Sequence, residues 1–85
     1  MNWQIKVIIE QKFSAYIVDK AAHLGVNCRA RVECRLSEDG LYLPVRTEIT
    51  GSMTADVQGK LIRLIQSDLG VPAESQIYVE EEEMP

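Results

Sequence analysis

The sequence predicts an α+β fold with element order α-β-β-α-β: a three-stranded sheet in spatial order 2-1-3 with both helices packed on one face. Three observations lead there. Apolar residues recur every three or four positions in two stretches, they alternate with polar residues in others, and glycine marks each change of period. With 85 residues, 46% hydrophobic and 26% charged, the chain has the composition of one globular domain. That domain is read as residues 1–80, followed by an acidic tail over 81–85 that is expected to be disordered. A domain this small buries only about 60 to 65% of its unfolded surface, so a partner covering part of the remainder would add stability.

The first helix rests on Ile5, Ile9, Phe13, Ile17, Ala21 and Leu24, which fall on one face, with Gly25 free to take the positive φ that ends a helix. The period then becomes two. Val26, Cys28, Ala30, Val32, Cys34 and Leu36 are expected to face inward, and Arg29, Arg31, Glu33 and Arg35 outward. In the second strand Leu41, Leu43, Val45, Thr47 and Ile49 are expected inward, and Tyr42, Pro44, Arg46, Glu48 and Thr50 outward. Asp39-Gly40 reads as a two-residue type I′ turn, since both residues tolerate positive φ. That turn sets Glu33 opposite Arg46 and Arg31 opposite Glu48, whereas a four-residue loop over Ser37 to Gly40 would oppose Arg31 and Arg46. Opposite charges across strands are worth roughly 0.2–1 kcal/mol, which favours the shorter turn. Pro44 cannot donate to a ladder and marks strand two as an edge.

Ser52 or Thr54 caps the second helix, with Asp56 near its positive end and Gly70 after its last turn. Its buried stripe is Val57, Leu61, Leu64, Ile65 and Leu69. Gly59 costs this helix about 1 kcal/mol relative to Ala, and is either a harmless exposed glycine or a point of close approach by another backbone. Gln76 to Glu80 reads as the third strand, which pairs beside strand one if strand two is an edge.

No chemistry stands out. Cys28 and Cys34 share a strand face roughly 20 Å apart and cannot bond to each other. Two distant thiols and the lone His23 do not make a zinc site, and His23 suits the negative end of its helix. No serine lies in a nucleophile setting, no glycine-rich loop opens a helix, and no carboxylate pair converges, so the chain reads as non-catalytic, with no cofactor and no metal. Net charge is −4 and pI about 4.9, yet Glu80 to Glu83 supply four of the 13 acidic charges, leaving the body neutral by count. No signal peptide or membrane span is expected.

What remains is the outer sheet face. Arg29, Arg31, Glu33, Arg35, Tyr42, Arg46 and Glu48 form the candidate protein interface, where arginines would pair with acidic residues of a neighbour. Two other readings stand beside it. One is a KH-like RNA-binding module using the arginine-bearing face, although Glu33 and Glu48 interrupt it and no GXXG loop is present. The other is a small-ligand regulatory domain, which would need a concave pocket.

Set in this element order, the segments AYIVDKAAHLG (Ala15 to Gly25), Leu43-Pro44-Val45, Ile49-Thr50-Gly51 and LGVPAESQ (Leu69 to Gln76) resemble stage III sporulation protein AF over residues 14–80. The pieces are short, but four in matching order and spacing make the resemblance specific. It implies a soluble domain related to the ring-building motifs of secretion-system rings, with a KH-like arrangement. It further implies a structural role in the channel assembled between mother cell and forespore in endospore-forming bacteria, with protein partners of that complex or further copies of the chain. Members of that family carry two transmembrane helices before this domain. The resemblance thus implies a parent anchored in the mother-cell membrane facing the forespore and a soluble fragment here. It supplies no catalytic residue.

Overall fold

The computed structural model describes residues 2–81. The order is α1 (Asn2–His23), β1 (Cys28–Leu36), β2 (Tyr42–Gly51), α2 (Ala55–Asp68) and β3 (Gln76–Glu80), an α+β architecture as expected. Of the acidic tail, Glu81 lies in no element and is exposed, and the rest falls outside the described residues.

The sheet is mixed and its order is β1-β2-β3, not 2-1-3. β2 pairs antiparallel with β1 and parallel with β3, so α2 is the crossover of a β-α-β unit. Pro44 explains why the edge assignment fails. β3 pairs only with Arg46 to Thr50, so the strand is central along that stretch and unflanked on one side at Pro44. The proline marks a local edge, and the whole strand does not inherit it.

The hairpin reaches the expected register by a different route. Gly40 has φ 81° and no other residue of the loop has positive φ, which excludes a type I′ turn. Gly40 N–H donates to Ser37 C=O (3.0 Å) and Ser37 N–H to Leu41 C=O (2.7 Å), the pattern of a type I turn closed by a left-handed glycine. This lengthens the loop by one residue, and a β-bulge restores the count: Cys34 faces Pro44, Glu33 faces Arg46, and Val45 is the extra residue. Beyond the bulge Arg31 faces Glu48 as expected.

Before the bulge, the facing of β2 is the reverse of the expectation. Tyr42 pairs with Leu36 and Pro44 with buried Cys34, so these two lie on the helix side, while Leu43 pairs with exposed Arg35 on the open side. Thr47 and Ile49 are fully buried, as the alternation requires.

The core is one cluster: Ile17 and Ala21 from α1, Val26 from the connection that follows it, Val32 and Cys34 from β1, Ile49 from β2, and Leu61 and Ile65 from α2. Both helices therefore cover the same sheet face. α1 lies chiefly over β1. It ends in a Schellman motif, with Val26 N–H bonded to Ala21 C=O and Gly25 N–H to Ala22 C=O, and Gly25 at φ 82°. Ile5, expected in the core, is 50% exposed. In α2, Thr54 is the cap, its hydroxyl accepting from Val57 N–H at 3.2 Å, and Gly70 follows at φ 58°. Gly51 sits so close to Cys28 that a Cβ would come within 2.8 Å of the Cys28 Cβ, which is why β2 ends on glycine. Gly59 has only the Arg63 side chain near its missing Cβ.

Candidate protein interface

Alternation places Arg29, Arg31, Glu33 and Arg35 on the side of β1 away from the helices, and all four are exposed. Register then adds rows across the sheet: Arg31 beside Glu48 beside Tyr78, and Glu33 beside Arg46 beside Gln76. Six of the seven expected residues share this face. Tyr42 does not, because the bulge turns it to the helix side, where it packs against the core.

Tyr78 takes the aromatic position instead. The Arg46 guanidinium lies 4.7 Å from the centre of its ring, and the Tyr78 hydroxyl donates to Gln76 Oε1 at 2.9 Å. Arg46 Nε also sits 3.4 Å from Glu48 Oε1, and Arg35 reaches Glu74 at 3.7 Å. Exposed pairs of this kind are worth only about 0–1 kcal/mol each, so their contribution is to set the pattern of charge more than to stabilise the fold. Tyr78 was legible in the alternation of Gln76 to Glu80, which turns it outward. Only the wrong strand order kept it from Arg46.

The open edge of β1 carries a second polar feature. Glu10 of α1 accepts the Cys34 backbone N–H at 2.7 Å, and Lys6 lies 3.7 Å from the same carboxylate. A groove of about 340 Å³ follows between α1 and β1, lined by Val7, Glu10, Gln11, Ser14, Ala30, Arg31 and Val32. Another, about 310 Å³ and almost wholly apolar, lies between α1 and the end of α2 beside Ile9, Phe13, Tyr16 and Leu69. Across its mouth Tyr16 donates to Asp68 Oδ2 at 2.8 Å, a bond that raises the phenol's pKa.

The thiols are separate and unbonded. Burial, then the Glu10 carboxylate, pushes Cys34 up to about 11 against a smaller opposing effect of Lys6, and burial raises Cys28 as well. Both are therefore neutral at pH 7 and weak nucleophiles. His23 is exposed at the end of α1, its Nδ1 2.8 Å from Asp19 C=O. Among the described residues, no group of three or more His, Cys, Asp or Glu side chains could hold a metal ion, and no helix is long and apolar enough to cross a membrane.

No family model matches the chain, and comparison with curated proteins and with solved structures finds no similar protein.

Proposed function

We propose that this domain is a non-catalytic scaffold module that docks on neighbouring protein domains through its open sheet face. The observation that supports this reading is the uncovered, mixed-charge face of Arg29, Arg31, Glu33, Arg35, Arg46 and Glu48, on the side opposite both helices, in which the rows Arg31–Glu48 and Glu33–Arg46 are of opposite sense. A fixed pattern of both charges rewards a partner of complementary pattern and penalises others, giving specificity more than affinity. Tyr78 on the same face adds an aromatic anchor.

The resemblance of Ala15–Gly25 and Leu69–Gln76 to stage III sporulation protein AF supports placing that assembly in the sporulation channel, with a membrane-anchored parent. Anchoring would raise the effective concentration of weakly associating modules.

Site-specific crosslinking from Arg31 and Arg46 positions in the parent protein within sporulating cells tests the reading. Protein neighbours captured from this face, and lost in Arg46→Glu, are expected. Absence of any neighbour would sink it. Binding to mixed RNA that falls steeply with salt would transfer the face to nucleic acid.

A further inference from the structure

We infer that Glu10 is an edge guard: its carboxylate, held by Lys6, occupies the outer hydrogen-bonding side of β1 and keeps further strands, those of other copies of this chain included, from adding to the sheet there. This surface is distinct from the open sheet face, and the inference does not depend on that face's role.

The sheet has two outer strands, and they differ in exposure to such pairing. β3 is five residues long, and a short edge offers little to build on, whereas β1 has nine. In an antiparallel ladder, alternate residues turn both N–H and C=O towards one neighbour. Ser37 N–H bonds to Leu41 C=O across the turn, which assigns the odd-numbered residues of β1 to β2. Ala30, Val32 and Cys34 therefore turn their backbone groups outward, in agreement with the Cys34 N–H, which meets α1 and not β2.

Over that run the edge is occupied from above. Cys34 N–H donates to Glu10 Oε2 at 2.7 Å, and Lys6 Nζ, one turn earlier on α1, lies 3.7 Å from the same oxygen. Arg31 and Glu33 border the same place, so the stretch is charged on both sides of the strand. Gln11 and Ser14 of α1 stand beside Ala30 and Val32.

A strand laid along Ala30 to Cys34 would have to displace this arrangement. It would take the Cys34 N–H from a charged acceptor, whose hydrogen bond is about twice as strong as the neutral one replacing it. It would also cover the Lys6–Glu10 pair and remove both charges from water. Charged side chains set against an outer strand are one of the means by which sheets avoid joining edge to edge.

Sedimentation velocity and amide hydrogen exchange on the 85-residue chain and three variants test the inference. Glu10→Ala removes the guard, Glu10→Gln keeps an acceptor without the charge, and Thr54→Ala removes the cap of α2 as a control for lost stability. Glu10→Ala is expected to self-associate at a concentration about tenfold or more below that of wild type or Thr54→Ala, the size of one lost hydrogen bond to a charged group, with Glu10→Gln between them. In the associated variant the amides of Ala30 and Val32 should exchange more slowly than in wild type, because a strand now covers them. Association through the open sheet face would leave them unchanged. Glu10→Ala no more prone to associate than Thr54→Ala overturns the inference, as does association that leaves the Ala30 and Val32 amides unprotected. If Glu10→Ala fails to fold, Glu10→Gln set against Thr54→Ala decides by the same two measurements.

Discussion

The two helices pack on the same sheet face, yet they use their apolar residues differently. α2, 14 residues long, buries Leu61 and Ile65 and half-buries Val57, Leu64 and Leu69, so nearly every apolar position in its stripe meets the core. α1, 22 residues long, buries Ile17 and Ala21 fully but leaves Trp3 69%, Ile5 50% and Ile8 53% exposed. The reason lies beneath them. The inner face of β1 is closed by Val32 and Cys34, while Leu36, at the turn end under the start of α1, is itself 47% exposed. An amphipathic pattern says which side of a helix can be covered. How far the covering layer extends is decided by strand lengths and turns elsewhere in the chain.

Three substitutions would break or sharpen that contrast. Ile17→Ala, in the pinned half of α1, should cost about 2–5 kcal/mol by removing a fully buried side chain from a core that can collapse only partly. In so small a domain that is enough to leave much of the population unfolded, measurable by urea denaturation. Gly59→Ala in α2 should raise stability by about 1 kcal/mol, because the added Cβ meets only the Arg63 side chain at 3.5 Å and the backbone loses its excess freedom. A destabilised variant would show instead that another backbone approaches there. Ile8→Ala, in the open half of α1, should change stability by no more than about 0.5 kcal/mol. A loss comparable with that of Ile17→Ala would mean that the two halves are packed alike after all.

Much of the architecture was legible because its signals are local. The period-two run through Val32 and Cys34, the period of α2, the Thr54 cap and the span Gln76–Glu80 each depend on residues close in sequence. The strand order was not, because it turned on one proline. Pro44 reports only the neighbourhood of one residue, and β3 pairs further along the same strand, from Arg46 to Thr50. The bulge at Val45 was invisible for a related reason: the three-residue loop and the extra residue cancel in the register, so Arg31 and Glu48 meet under either turn. What the cancellation does not hide is the facing of Tyr42, which moved the expected aromatic off the candidate face and left Tyr78 in its place. The Glu10 contact to Cys34 joins residues 24 positions apart, and only the tertiary fold brings them together.

The parallel pairing of β3 has a consequence for biosynthesis. A chain emerging from the ribosome can complete α1 and then the hairpin from residues already released, and Glu10 is present before β1 exists to be guarded. The far side of β2, from Arg46 to Thr50, has no partner until Gln76 to Glu80 are translated and α2 has carried them back alongside. Premature termination in the last tenth of the domain would therefore release a protein whose central strand is bare on one flank, the kind of species that chaperones and proteases intercept.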